Sequence, residues 1–229
     1  MVARQILKTE VQVPQQDFLE IIKRTRGDDN YAGDEFGGAA GASGQGLPTG
    51  HPRDFMFATG IECSYPTIQN GRVRRDELEE CGHYEHWKED LNLVKELGLK
   101  VLRYGFPYYR THLGPGKYDW SFTDEVMREL QRLEITLILD LLHFGVPDWL
   151  GNFQNPELPI HFSDYVEAVV ERYPWVRYFT PVNEIYVTAR ISARDGLWNE
   201  QLQSDQGFVT ALKHLVAACT LACHSIARH

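Results

Sequence analysis

The spacing of apolar and polar positions along residues 55–227 predicts strands that alternate with helices. Four short apolar runs have the length of strands, at residues 55–62, 100–106, 135–142 and 176–182. Each is followed by a segment with helical, amphipathic spacing, at residues 84–97, 122–133, 162–172 and 208–227. Four βα units with nearly continuous apolar strands indicate an α/β fold, in which helices cover a parallel sheet.

Polar residues collect where the predicted strands end. These residues are Glu62, Arg103 with Tyr104, Asp140 with His143, and Asn183 with Glu184. No G-x-G-x-x-G follows a strand and no P-loop sequence is present, so the phosphate-binding signatures of doubly wound folds are missing. The pattern alone leaves a doubly wound sheet and a barrel open, but in a (β/α) barrel this rim is where an active site is built.

Composition divides the chain into two parts. Residues 36–50 are dominated by Gly, Ala and Ser, which bury little surface, so we interpret residues 1–50 as an N-terminal extension with a flexible linker. We expect the folded domain to cover residues 51–229. With 43% hydrophobic and 24% charged residues, the chain of 229 residues is long enough for one sizeable core.

Charge and cysteine content exclude several classes of partner. The net charge of −9 argues against binding to nucleic acid or to an anionic membrane. No stretch reaches 18 apolar residues and no apolar signal region opens the chain, which predicts a cytoplasmic protein. The four cysteines are interpreted as free thiols. Cys219, Cys223 and His224 lie in apolar surroundings, so we expect no metal site and no cofactor.

Each rim residue alone has a structural explanation, such as an ion pair or a buried histidine. Together, an arginine, a histidine and an Asn-Glu pair supply hydrogen-bond donors and one acidic proton source. Three aromatic residues occur nearby in the sequence, at Trp149, Tyr186 and Trp198. Sugars require polar partners for their hydroxyls and aromatic faces for their rings, so this combination predicts a saccharide site.

Several segments have the order and spacing of a known family. They include the segments that start at Asp54, Cys81 and Leu97, then Asp140-Leu-Leu-His143-Phe-Gly-Val-Pro-Asp-Trp, then Tyr178-Phe-Thr-Pro-Val-Asn183-Glu184. Over roughly residues 54–229 the chain resembles glycoside hydrolase family 1, the β-glucosidase-like family. The resemblance implies a TIM-type (β/α)8 barrel, of which this chain supplies about the first four βα units.

The resemblance also implies an activity and roles for individual residues. The activity is retaining hydrolysis of O-glycosidic bonds, with Glu184 as the general acid/base. Asn183 is expected to hold the 2-hydroxyl of the sugar and His143 a neighbouring hydroxyl. Arg103 is expected to stabilise the ionised nucleophile.

The chain departs from the family pattern at three places. Tyr65-Pro66 stands where the family has Tyr-Gln, so the glutamine that holds the sugar is lost, and Glu62 is a candidate substitute. Phe144 replaces the tryptophan after the histidine, and Ile185 replaces the proline after the glutamate. Substrate choice is therefore not transferred from the family.

The nucleophile of the family is a glutamate on the seventh strand, which residues 1–229 do not supply. The acidic residues after Glu184, namely Asp195, Glu200 and Asp205, are expected to be solvated loop residues or helix caps. Four βα units also leave outer strand edges and an apolar interior to be covered. We expect either a missing C-terminal half-barrel or self-association, and a fragment, a split enzyme and a decayed remnant stay open.

Two alternatives to hydrolysis follow from the same residues. A non-catalytic carbohydrate-binding or interaction module would keep the aromatic rim without the chemistry. A transglycosylase would use the same carboxylates and differ in how well it excludes water.

Overall fold

The computed structural model describes residues 57–229. The extension and linker predicted at residues 1–50, and the domain start predicted at residue 51, lie outside the described residues.

A four-stranded parallel sheet with one helix after each strand forms the centre of the fold. Its units are β1 (Ala58–Gly60) and α1 (His83–Glu96), β2 (Val101–Gly105) and α2 (Ser121–Arg132), β3 (Thr136–Asp140) and α3 (Leu158–Arg172), and β4 (Tyr178–Thr180) and α4 (Asp205–Arg228). The strands lie side by side in chain order. The predicted α/β class and all four βα units are confirmed, although the strands are shorter than predicted. The described residues form part of a barrel and do not close it.

Smaller elements all lie in the loops that follow the strands. They are the hairpins Thr67–Ile68 with Val73–Arg74 and His112–Gly114 with Lys117–Tyr118, the short helices Glu77–Glu80, Tyr108–Thr111 and Ile185–Ala189, the 3₁₀ turn Asp148–Leu150, and the π turn Arg190–Arg194. The loops that lead from each helix to the next strand, at residues 97–100, 133–135 and 173–177, are short. Extra structure is thus concentrated at the carboxyl ends of the strands, where barrel enzymes bind their substrates.

The helices bury one face each against the sheet or a neighbour. On α2 the buried side chains Val126, Met127 and Leu130 share one face, as helical spacing requires. On α4 the small buried residues Ala211 and Ala218 allow close packing against α3. By length and composition alone α4 is apolar enough to cross a membrane, but core helices of soluble proteins meet the same test. The expectation of no membrane partner stays a prediction.

Within the described residues, the first and last strands of the sheet each have an unpaired outer edge. There, β1 pairs only with β2, and β4 pairs only with β3. Leu93 and Leu97 are exposed on and next to α1, in the first βα unit, and Val209 and Val216 are exposed on α4, in the last. Exposed apolar side chains of this kind are typical of a surface that another segment covers.

The loops after β1 and β3 are fastened to each other at Tyr65. The Tyr65 N–H donates to the His143 carbonyl at 3.2 Å, and the His143 N–H donates to the Tyr65 hydroxyl at 3.2 Å. Next to this contact, Gly145 passes so close to Tyr65 that an added Cβ would lie 2.2 Å from the Tyr65 carbonyl oxygen. Only glycine fits this crossing without moving one of the loops.

We predict that Gly145→Ala lowers the free energy of unfolding by about 1–3 kcal/mol, because the methyl group must push the two loops apart. Gly114→Ala is the matched control, since its Cβ would meet only the Lys117 side chain at 3.6 Å. Urea denaturation measures both variants. Equal losses in the two would contradict the close crossing at Tyr65.

Candidate active site

Four side chains meet at the carboxyl ends of β2, β3 and β4. Arg103 lies on β2, Asp140 ends β3, His143 follows in the next loop, and Asn183 follows β4. The strand ladder continues past its formal ends, because Leu141 N–H donates to the Thr180 carbonyl and Asn183 N–H to the Leu142 carbonyl. The parallel register of the sheet therefore brings together residues that are up to 80 positions apart.

These four side chains form a closed hydrogen-bonded ring, which we call the rim ring. The Arg103 guanidinium donates from Nη2 to Asp140 Oδ2 and, at 2.5 Å, to Asn183 Oδ1. His143 Nδ1 lies 3.0 Å from the same Asp140 oxygen, and His143 Nε2 lies 3.0 Å from Asn183 Nδ2. Each member thus contacts two others.

Donor and acceptor chemistry fixes the orientation of every group in the rim ring. Arginine has only donors, so the Asn183 atom that faces it must be the amide oxygen. The Asn183 NH₂ group then faces His143 Nε2 and donates to it. His143 Nδ1 consequently carries a proton and donates it to Asp140.

Cys63 borders the rim ring from the loop after β1. Its Sγ lies 3.4 Å from His143 Nδ1, and burial, with help from Asp140 and Glu62, raises the pKa of the Cys63 thiol. Cys63, Asp140 and His143 lie near enough to one another to hold a metal ion. However, the Asp140 and His143 atoms concerned already take part in the rim ring, and a protonated thiol is a poor ligand. We therefore interpret the cluster as hydrogen-bonding structure.

Two glutamates flank the rim ring. Glu62 is 60% exposed, its Oε1 accepts from Ser64 N–H at 3.0 Å, and the same oxygen lies 3.6 Å from His143 Nε2. Glu184 is exposed and directly follows Asn183, at the start of the helix Ile185–Ala189. Its backbone is left-handed, with φ of 42°, which is unfavourable for a residue with a side chain and is enriched at functional turns.

The predicted aromatic residues divide into two groups. Trp198 packs on Phe144 at 4.9 Å, and Phe144 packs edge-on against His143 at 4.7 Å, so these two rings extend the rim ring. Trp149 instead donates to the His112 carbonyl and packs on the His112 ring. Tyr186 contacts Phe208 at the start of α4. The structure shows no contact between the rim ring and either Trp149 or Tyr186.

Asn199 fastens three loops around the site, a role that the sequence analysis missed. Its Oδ1 accepts from Thr67 N–H at 3.1 Å, and its Nδ2 donates to the Phe144 carbonyl at 3.0 Å and to Ser192 Oγ at 2.8 Å. These partners lie in the loops after β1, β3 and β4. Its left-handed backbone, with φ of 48°, is one that asparagine tolerates better than most residues.

The expectation for the late acidic residues is correct for two and wrong for the third. Asp195 pairs with Arg190, and Asp205 pairs with Arg194 at the start of α4. Glu200 is not solvated: its Oε1 accepts from Gln154 Nε2 at 2.9 Å, and its buried Oε2 has no hydrogen-bond partner among the described residues. Burial raises the pKa of Glu200.

A cavity of about 690 Å³ opens at the amino ends of the strands, between Lys100, Thr136 and Arg177. It lies at the end of the sheet opposite the rim ring. We assign the site to the rim because donors, acceptors and an exposed carboxylate converge there.

A polar network and an Asn-Glu pair lie together at the carboxyl ends of parallel strands, the end at which (β/α) barrels build their active sites. The family model described as glycosyl hydrolase family 1 matches residues 62–229. The chain belongs to this family, which confirms the resemblance found in its sequence.

Curated relatives include two phosphoglucosidases. The chain is 28% identical over 211 residues to the 6-phospho-beta-glucosidase of Clostridium longisporum, a match that covers 83% of this chain and 42% of the relative. It is 28% identical over 167 residues to the 6-phospho-beta-glucosidase AscB of Escherichia coli, covering 66% and 35%. The chain therefore spans less than half the length of these relatives.

Solved structures share the fold. The beta-glucosidase from Thermotoga maritima in complex with castanospermine superimposes with a TM-score of 0.65 at 20% identity, covering 78% of this chain and 47% of that one. The AHE enzyme from Alicyclobacillus herbarius gives a TM-score of 0.61 at 23% identity, covering 65% and 35%. At these identities the likeness concerns the barrel fold alone.

We predict that Asp140→Asn lowers the free energy of unfolding by about 1–3 kcal/mol, because Arg103 loses its buried counter-charge and an amide nitrogen replaces one carboxylate oxygen. It should also shift the ¹⁵N NMR signal of His143 Nδ1, whose hydrogen bond then goes to a neutral amide oxygen. Asp148→Asn is the control, since the Asp148 side chain is 81% exposed in its pair with Arg74. An unchanged His143 spectrum in Asp140→Asn would contradict the rim ring.

We expect the buried Glu200 carboxyl to make the stability of the fold depend on pH. Its pKa is higher in the folded chain than in the unfolded chain. The folded state therefore loses stability as the pH rises from the unfolded pKa through the folded pKa, because the buried carboxyl becomes charged. We expect Glu200→Gln to raise the melting temperature by roughly 2–4 °C at pH 7.5 and much less at pH 4. Glu125→Gln, at an exposed position on α2, is the control. The same shift at both pH values would exclude Glu200 as the cause.

Proposed function

We propose that this chain forms the acid-donating and sugar-binding half of a retaining β-glycosidase that hydrolyses O-glycosidic bonds. The observation that carries the proposal is the Asn183-Glu184 pair at the end of β4, with the Asn183 amide fixed by Arg103 and His143. Membership of glycosyl hydrolase family 1 over residues 62–229 supports the same class of reaction.

Each residue has a defined task in this proposal. Glu184 protonates the leaving oxygen and later removes a proton from water. Asn183 uses one amide hydrogen for His143, which leaves its second for the 2-hydroxyl of the sugar. A hydrogen bond to that hydroxyl strengthens as positive charge develops on the sugar ring.

Arg103 supports a second carboxylate from beyond residues 1–229. Its Nε is buried and has no hydrogen-bond partner among the described residues. A nucleophilic carboxylate in this neighbourhood would accept from that N–H and be stabilised in its ionised form. In a retaining pair the two carboxyl groups lie roughly 5–5.5 Å apart.

The open sides of the sheet support a complementary half-barrel as the partner. Leu97 is 75% exposed beside α1, and Val216 is exposed on α4, so the two flanks both present apolar side chains. A half-barrel from another segment or chain would cover both flanks and bring the seventh strand into place.

A carbohydrate-binding module is the second candidate. The observation in its favour is that the rim ring closes with side chains of this chain alone. Sugar binding by these residues therefore does not require the second carboxylate.

We predict that residues 1–229 alone hydrolyse an aryl β-glucoside at a rate lower by several orders of magnitude than a complete family member, because one member of a cooperating pair is missing. Supplying the C-terminal half-barrel of a family 1 relative should raise the rate, and Glu184→Gln should abolish the gain. Release of the aryl group measures turnover.

Two outcomes would change the proposal. Substantial hydrolysis by residues 1–229 alone that depends on Glu184 would show that the second carboxylate lies within them. Saccharide binding without turnover after the second half has been added would favour the binding module. Calorimetry with Glu184→Gln separates loss of binding from loss of chemistry.

A further inference from the structure

We propose that the sugar bound at this rim carries a positive charge, as an amino sugar does, and not a phosphate. This inference rests on the proposed function, because it concerns the ligand of the same site. It departs from the relatives named 6-phospho-beta-glucosidase. The distribution of charge around the rim ring carries it.

Glu62 brings a carboxylate without a counter-charge to the rim ring. Glu62 and Asp140 contribute two carboxylates, whereas Arg103 contributes the one guanidinium of this set. The positive charge of Arg103 is directed at Asp140, whose side chain is fully buried. Glu184 is not counted, because in the proposed function it carries the proton that it gives to the leaving oxygen. A ligand at the rim therefore meets the negative charge of Glu62.

Glu62 is the residue most open to a ligand. Its Oε1 is held by Ser64 N–H beside His143, while the described residues give its Oε2 no hydrogen-bond donor. A glutamine in this role would offer both an N–H and a carbonyl to a hydroxyl, but an ionised glutamate can only accept. An ammonium group supplies three donors and the opposite charge, so it matches Glu62 better than a hydroxyl does.

Three arginines in the loops around the rim are already engaged. Arg74 donates to the Tyr65 and Val146 carbonyls and pairs with Asp148. In the loop after β4, Arg190 and Arg194 pair with Asp195 and Asp205. A phosphate group needs cationic or N–H donors, and these three arginines offer it poor compensation for its lost hydration.

The geometry also indicates which part of the sugar carries the charge. In the proposed function Asn183 holds the 2-hydroxyl with its second amide hydrogen. Asn183 Nδ2 lies 3.0 Å from His143 Nε2, and Glu62 Oε1 lies 3.6 Å from the same nitrogen, so Glu62 is next to the position bound by Asn183. An ammonium group at carbon 3, the neighbour of the carbon that carries the 2-hydroxyl, would be placed beside Glu62.

The test is a calorimetric titration of the full chain at pH 6 with three probes that differ in charge. They are methyl 3-amino-3-deoxy-β-D-glucoside, methyl β-D-glucoside and methyl β-D-glucoside 6-phosphate. We expect the amino sugar to bind about tenfold more tightly than the neutral glucoside, and the phosphate to bind most weakly, because a charge-assisted hydrogen bond is about twice as strong as a neutral one.

Variants separate Glu62 from the general negative charge of the chain. Glu62→Gln should remove the preference for the amino sugar and bring the affinities for the amino and neutral probes together. Glu125→Gln removes an exposed charge on α2 and should keep the preference intact. Circular dichroism checks that both variants fold.

Each outcome decides between the inference and the proposed function. Equal affinities for the amino and neutral probes, or tighter binding of the phosphate, would overturn the inference while sugar binding itself stands. A preference for the amino sugar that survives Glu62→Gln would overturn the role of Glu62 and with it the inference. Failure of all three probes to bind would overturn sugar binding by this chain, and thus the proposed function as well.

Discussion

The two hydrogen bonds of the Arg103 guanidinium are the interaction on which the site depends. Arginine offers only donors, so its contacts with Asp140 and Asn183 determine how the asparagine amide is oriented. That orientation in turn determines which His143 ring nitrogen accepts from Asn183 and which donates to Asp140. Arg103 on β2 thereby determines which side-chain atoms of His143, after β3, and of Asn183, after β4, donate and which accept. The parallel register, which pairs Gly105 with Asp140, makes the contacts possible.

The loops around the rim are positioned by a few contacts between distant segments. Tyr65 holds the backbone of His143 from the loop after β1, and Gly145 allows the two loops to approach. Asn199 ties the same loops to the one after β4. The connections at the opposite end of the sheet are short. The two ends therefore differ in how they are built, and the end with the longer loops carries the rim ring.

The sequence predicts the order of the elements and most of the rim. This is possible because apolar positions repeat with one period in strands and another in helices, and the rim residues follow the predicted strands. It does not predict the central position of Asp140, since the partner of a buried carboxylate depends on the register between strands. Asn199 is missed because its partners, Thr67 and Phe144, are 132 and 55 residues away. Glu200 is misjudged because its surroundings come from Gln154, in the loop after β3. Trp149 and Tyr186 are aromatic and close in sequence to the rim, but sequence proximity does not determine which way a side chain packs.

Asp140 gives Arg103 a counter-charge from within the same sheet. In a retaining glycosidase an arginine near the nucleophile stabilises the ionised carboxylate. An arginine whose only counter-charge lay in another segment would be left without one whenever that segment was absent, which is costly for a partly buried cation. Here Asp140 supplies the counter-charge within the same sheet, and the Arg103 Nε is still left without a partner among the described residues. Under the proposed function, the rim ring therefore forms without a second carboxylate and keeps a donor with which to bind one.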